Sequence, residues 1–328
     1  MKAVVYEKYG SPDMLELREV EQPKPQAGQV LVRIEATTVT LVDCEFRAGN
    51  PAVARLYTGL TRPKNPILGT EFAGTIEAVG PGVTRFAVGD RVFGASDEGF
   101  GTHAEYVCLS QDGALATLPE TMSMAEGAGM SNGALTALPF LRDHAKVRPG
   151  DKVLIIGASG SIGTHAVQLA KELGAEVTAV CSTPNVALVK SLGADRVIDR
   201  TTEDFTRGDE RYDVIFDTVG KSSFSRCKPV LTKRGAYLTT VLSAGALFFT
   251  LWTKLFGGKK AMFAATGLRS SAEKSADLEY LEQLVEAGKL RVVIDSHYPL
   301  SRIADAHRHV DAGRKRGNLI IDIEHRAA

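Results

Sequence analysis

The chain has 328 residues, 44% of them hydrophobic and 24% charged, the balance of an ordinary soluble protein with room for two domains. Its 39 Lys and Arg cancel its 39 Asp and Glu, so the overall charge makes no case for nucleic acid or an anionic membrane as partner. Cys44, Cys108, Cys181 and Cys227 are scattered without C-x-x-C spacing, which argues against a disulfide framework and a structural zinc site. The N-terminus turns polar at Glu7 and lacks a signal-peptide core, so the cytoplasm is the expected compartment.

Residues 1 to about 120 read as short strands punctuated by turns. Residues 2–6, 15–20, 29–36, 72–79 and 91–93 are β-type runs, and in the third Val30, Val32 and Ile34 alternate with polar neighbours. Gly-Ser-Pro, Pro-Gly-Val and Val-Gly-Asp separate such runs, as in a compact all-β or barrel-like unit. Residues 125–141 are small and apolar.

Residues 153–156 form an apolar run rich in β-branched side chains, the pattern of a strand buried on both faces of a parallel sheet. Gly157, Gly160 and Gly163 follow, then Ala166, Val167, Leu169 and Ala170 give a helix an apolar face. A second apolar strand, residues 175–180, comes after Leu173-Gly174. Such a βαβ unit suits a dinucleotide: the glycines allow a tight turn, close approach of backbone to pyrophosphate, and packing of helix on strand. The turn reads Ala158-x-Gly160-x-x-Gly163, with Gly157 one place early, and Ser159, Gly160, Ser161, Ile162 and Gly163 are its candidate phosphate-binding residues.

The second strand ends Cys181-Ser182-Thr183, without the acid that NAD sites place there for the ribose. Small hydroxyl residues leave room for a 2′-phosphate, and Arg200, after a strand candidate at 196–198, offers a countercharge. NADPH (NADP) is therefore expected over NADH through Ser182, Thr183 and Arg200; the alternative is that Ser182 and Thr183 only cap the next helix. Residues 212–220 and 235–241 are further strands whose carboxyl ends face the ligand by the rule for parallel sheets, which nominates Val219, Val241 and Leu242.

Residues 242–256 are strongly apolar but too short for a membrane span, which needs roughly 20 residues. Lys254, Lys259 and Lys260 only hint at the basic face of a surface-lying helix. The apolar run is expected to form a packed helix whose aromatics wall the substrate. Residues 261–265 read as an edge strand. Leu278, Leu281, Leu284 and Val285 mark an amphipathic helix stopped by Gly288. A strand at 292–294, a helix at 304–310 and a strand at 319–323 end the chain. His307 and His309 lie two apart, on different helical faces, and make a poor ligand pair.

Three motifs carry a resemblance: Leu68-Gly-Thr-Glu-Phe-Ala-Gly-Thr-Ile-Glu-Ala-Val-Gly80, Val88-Gly-Asp-Arg-Val-Phe93 and Gly101-Thr-His-Ala-Glu-Tyr-Val107. With the glycine turn and the ending Arg316-Gly-Asn-Leu-Ile-Ile-Asp322, they resemble the medium-chain dehydrogenase/reductases over essentially the whole chain. The resemblance implies an α/β fold in which a Rossmann doubly wound parallel sheet, residues 123–266, is inserted into a GroES-like β-barrel catalytic domain, residues 1–122 with 267–328 returning to it. The positions that match the family's catalytic zinc ligands are Thr40, Thr70 and Asn132. None is a thiolate or imidazole, so no metal is expected, and the chain is similar to the zinc-independent, quinone oxidoreductase-like (zeta-crystallin-like) branch. The same three side chains are its candidate catalytic donors, while Thr136 and Asn318 join the cofactor set. Thr40 departs from the branch's usual Asn, Glu45 from the Tyr of some members, and Arg200 from a common Tyr, and residues 184–186 hold no cation. The resemblance implies a homodimer, paired through the edge strand, that uses NADPH to reduce a small hydrophobic quinone or α,β-unsaturated carbonyl. An NADPH-binding structural or regulatory protein and an enoyl-thioester reductase stay open beside it.

Overall fold

The computed structural model describes residues 1–50, 52, 54–96, 100–255, 258–264, 266 and 269–325. The chain opens with β1 (Lys2–Val5), β2 (Glu16–Glu19), β3 (Gln29–Thr38), α1 (Leu41–Ala48), α2 (Ala54–Thr58), β4 (Glu71–Val79), β5 (Arg91–Ala95), β6 (Tyr106–Ser110), β7 (Leu115–Thr117) and α3 (Met124–Pro139). Next come β8 (Lys152–Ile156), α4 (Ser161–Glu172), β9 (Glu176–Cys181), α5 (Val186–Ser191), β10 (Arg196–Asp199), β11 (Tyr212–Asp217), α6 (Phe224–Cys227), β12 (Leu231–Thr239), α7 (Ala244–Leu255) and β13 (Lys260–Phe263). It closes with α8 (Ser271–Glu286), β14 (Ile294–Pro299), α9 (Ile303–Asp311) and β15 (Asn318–Asp322). Two compact units result, residues 1–132 with 270–286 and 292–328, and residues 133–269 with 287–291.

The first unit is built on β3. Its ten residues pair antiparallel with β4, β6 and β15 in a seven-stranded sheet. Val30, Val32 and Ile34 are fully buried, as their period of two requires, and pack in one core with Phe72, Ile76, Val92, Leu319 and Ile321. β14 differs from its sequence expectation, starting at Ile294 and reaching Pro299 instead of covering 292–294. It is the half-exposed sheet edge, and the run Ile-Asp-Ser-His-Tyr-Pro has too few apolar residues to announce itself.

The second unit is a six-stranded, wholly parallel sheet in the order β10-β9-β8-β11-β12-β13. The chain enters at the centre on β8, winds outward to β10, then crosses back to β11 and winds outward to β13. That is the doubly wound α/β architecture, and its switch point lies between β8 and β11, where parallel sheets bind ligands. Val153, Leu154 and Ile155 are fully buried, consistent with a strand covered on both faces. Phe256, Ala265 and residue 267 of the expected boundary lie outside the described residues. Among the described residues no helix is long and apolar enough to cross a membrane.

Candidate active site

β8 stops at Ile156 and the backbone turns at Gly157, whose φ is +80°. Gly163, in the first turn of α4, faces it: a Cβ on Gly163 would lie 2.1 Å from the Gly157 carbonyl oxygen. Only glycine lets the helix close on the end of the strand. Gly160 has the opposite surroundings, since its Cβ would meet nothing nearer than that oxygen at 3.5 Å, so the space over the turn is open. Gly160 is the N-cap of α4 and offers no side chain. The Ser161, Ile162 and Gly163 amides therefore lack an intrahelical acceptor and suit phosphate oxygens, at the positive end of the helix dipole. These residues fit a dinucleotide.

The carboxyl ends of the neighbouring strands converge here. Gly157 is close enough to Val219 that a Cβ would come within 2.7 Å of it, and Gly220 stands in the same relation to Val241. Val219, Val241 and Leu242 are exposed. Asp217, not nominated from the sequence, orders this turn: its carboxylate accepts from Val219 N (3.2 Å), Ser222 N (2.7 Å) and the Tyr237 hydroxyl (3.0 Å). Thr136 is buried on α3 and accepts from the Thr266 hydroxyl at 3.5 Å.

At the end of β9, Ser182 holds the N-cap position of a one-turn helix, Thr183–Asn185, but its hydroxyl makes no capping bond. Asn185 Nδ2 instead donates to Ser159 Oγ (2.9 Å) and Ser182 Oγ (3.3 Å), tying the glycine turn to the strand end. Arg200 N donates to Cys181 O at 2.9 Å, which fixes Arg200 beside that end. Its side chain is exposed and has no ion pair among the described residues. Asp199 stands opposite Cys181 in the β9–β10 register, an acid carried in by the neighbouring strand. Hydrogen bonds from Thr183 first, then from the Thr201 amide and hydroxyl, hold its carboxyl below the usual range.

In the β unit, Thr40 caps α1 through a reciprocal pair: its hydroxyl donates to Asp43 Oδ2 at 2.6 Å and accepts from Asp43 N at 3.3 Å. The other Asp43 oxygen accepts from Gly69 N at 3.1 Å, linking the start of α1 to the Gly69-Thr70-Glu71 segment. Thr70 Oγ1 is buried and has no hydrogen-bond partner among the described residues. Glu71 accepts from the Thr38 hydroxyl and from Asn132 N at 2.5 Å. One network thus brings Thr40, Thr70 and Asn132 together. Asn318 stands apart from it, its backbone and side-chain amides both donating to Val293 O at 2.9 and 3.2 Å. Two hydroxyls, one of them committed to a helix cap, and an amide do not fit a zinc ion. Among the described residues no group of three or more His, Cys, Asp or Glu could hold a metal ion.

Glu71 and Lys315 are missing from the sequence-derived set. Burial pushes the Glu71 carboxyl up to about 7, against the lesser pull of Thr38, Asn132 and the Lys315 ammonium. Burial likewise holds Lys315 below its usual value, and its Nζ donates to Gly317 O at 2.9 Å. Because the folded value exceeds the ordinary 4.5, the folded chain keeps a proton that the unfolded chain has released. This contribution to stability is full below pH 4.5, falls between 4.5 and about 7, and is level above. At about 1.4 kcal/mol per pH unit the loss is on the order of 3 kcal/mol. Glu71→Gln should flatten that slope, read as urea midpoints at about pH 5 and about pH 7.5; equal slopes in both proteins contradict the assignment.

Residues 26–120 match the family model of the alcohol dehydrogenase GroES-like domain, and residues 192–321 match that of a zinc-binding dehydrogenase. A chloroplastic quinone-oxidoreductase homolog of Spinacia oleracea is 33% identical over 335 residues, covering 98% of each chain. The 2-methylene-furan-3-one reductase of Solanum lycopersicum is 30% identical, over 98% of this chain and 79% of that one. The solved quinone oxidoreductase of Coxiella burnetii superposes with a TM-score of 0.87 at 30% identity, covering 99% of both. Sharing 33% of its residues along the whole length of such a relative, the chain belongs to the medium-chain dehydrogenase/reductase superfamily, on its quinone oxidoreductase-like branch.

Proposed function

We propose that the chain is an NADPH-dependent, metal-free reductase of quinones or α,β-unsaturated carbonyls. The observation that carries this is the donor set in the β unit: where a metal would need strong ligands stand Thr40, Thr70 and Asn132, with the buried Thr70 hydroxyl left without a partner among the described residues. Strong Lewis-acid help, which supplies several kcal/mol to the reduction of a simple ketone, is not what these groups can give. A conjugated carbonyl needs less, since its developing charge spreads onto one oxygen that a few hydrogen bonds stabilise.

The bound dinucleotide supplies the hydride. The Ser161, Ile162 and Gly163 amides hold its pyrophosphate, and Ser182, Thr183 and Arg200 receive its 2′-phosphate, with Arg200 offering a planar cation suited to it. Val219, Val241 and Leu242 give the nicotinamide an apolar bed, and Thr136 and Asn318 complete the cofactor set. Thr70 donates to the substrate oxygen with Asn132 as second donor. Thr40 positions: through Asp43 and Gly69 it holds the Thr70 segment in place. The four free thiols suit a reducing compartment such as the cytoplasm. The outer edge of β13, unpaired within its sheet, pairs with that of a second copy; light scattering that gives a monomer mass at micromolar concentration would contradict the dimer.

NADPH oxidation should be followed over quinones, enones and acyl thioesters, with and without a chelator. Small quinones or enones should turn over equally in both, and Thr70→Val should lower kcat/KM about 100-fold. Loss of activity on chelation, or turnover confined to thioesters, contradicts the proposal. NADPH should be preferred over NADH only about tenfold, as one rim cation and a nearby Asp199 imply. Ser182→Asp should raise the KM for NADPH far more than that for NADH, and Arg200→Ala should erode the preference alone. Equal efficiency of the two cofactors in the unsubstituted protein tells against the 2′-phosphate site.

A further inference from the structure

α7 departs from the packed helix expected from its sequence: it presents a face that the other described residues of its unit do not cover. On the inner side Phe249 packs against the core of the parallel unit, and the buried Thr253 hydroxyl accepts from Ala261 N on β13 at 3.0 Å. On the outer side Leu247, Phe248, Leu251, Trp252 and Leu255 are between 45% and 79% exposed. Their spacing puts all five on one stripe of the helix. The Phe248 and Trp252 rings stack with centroids 5.7 Å apart, which makes part of that stripe a flat aromatic surface. Single exposed apolar residues are ordinary, whereas a contiguous set marks a binding surface.

The surrounding charge says what that surface meets. The chain is neutral as a whole, yet residues 218–272 carry nine Lys and Arg and no Asp or Glu. Six of the cations gather near the C-terminal end of α7. Lys254 is on the helix, and Lys259 Nζ donates to Lys228 O at 2.6 Å. Lys260 pairs in register with Ala236, two residues beyond Arg234, and a Cβ on Gly258 would lie 3.8 Å from the Lys233 carbonyl oxygen. All but Lys259, which is intermediate, are exposed. A second copy laid on the helix face itself, as distinct from one paired along the β13 edge, would set these cations against themselves. An uncharged apolar segment would leave them unanswered. An apolar, aromatic stripe edged by lysines instead matches an anionic bilayer, where acyl chains receive the stripe and headgroups the ammoniums. At 12 residues the helix is too short to span and would lie in the interface plane.

We propose that α7 and the cations at its C-terminal end form a docking face for an anionic lipid surface, on which the protein sits peripherally. The inference is independent of the catalytic reading, and its readout needs no turnover. Trp252 is the chain's only tryptophan, so its emission reports on this face. The full chain is titrated with phosphatidylcholine vesicles and with mixed phosphatidylcholine–phosphatidylglycerol vesicles. The mixed vesicles should shift the emission to the blue, brominated acyl chains should quench it, and high salt should weaken both effects. Lys254→Gln and Lys233→Gln should each lower partitioning about fivefold. Leu251→Ser should lower it too, with circular dichroism and NADPH affinity unchanged. Unshifted emission with mixed vesicles, or equal binding to phosphatidylcholine alone, overturns the proposal. So does a Leu251→Ser protein that loses a dimer mass while the unsubstituted protein binds no vesicle, which would give the face to a second copy.

Discussion

The contact between Gly163 and the Gly157 carbonyl is the constraint on which the cofactor half of the structure depends. With no room for a Cβ there, α4 docks hard on the end of β8, and its free amides are aimed at the turn instead of away from it. β8 is central in a six-stranded parallel sheet and its last four residues are buried, so the turn is anchored in the core of that unit. Everything that approaches it, Val219 against Gly157 and Asn185 between Ser159 and Ser182, is set by this one close packing.

The β unit solves a different problem, holding polar groups inside an apolar sheet. Asp43 and Glu71 are both fully buried, and each pays for its burial with hydrogen bonds to a neighbouring segment. Their combined effect is to join the start of α1, the Gly69–Glu71 corner and the Asn132 backbone into one rigid frame. Beside that frame the Thr70 hydroxyl, like a few other buried polar atoms such as Arg47 Nη1 and His103 Nδ1, has no hydrogen-bond partner among the described residues. An unpaired buried donor costs stability, and such a cost is commonly kept where a ligand relieves it.

The parts legible in the sequence were those whose physics is local. An apolar β-branched run, three glycines and an apolar helical face announce β8, the turn and α4 within twenty residues, and the strand order then follows from the doubly wound pattern. Thr40 is nominated from the sequence only as a donor, although Thr40-Leu-Val-Asp43 has the spacing of the capping box that the structure shows there. What the sequence hid was long-range. Asp199 comes to the end of β9 only because β10 lies beside it. Glu71 and Lys315 owe their shifted proton affinities mainly to burial by segments distant in the chain, for which the sequence carries no signal beyond a lone acid in an apolar strand. β14 was displaced for the reverse reason, a polar sheet edge with no periodic pattern to read.

The central claim is that hydride passes from the dinucleotide to the conjugated carbon of an enone or quinone without a metal. It is tested most directly with NADPH carrying deuterium at both hydrogen positions of C4 of the dihydronicotinamide and a simple enone in ordinary water, after exhaustive treatment with a chelator. The account predicts deuterium on the β-carbon of the reduced product, with solvent hydrogen only at the α-carbon. A product carrying no deuterium at the β-carbon, or no product at all until zinc is restored, would contradict it.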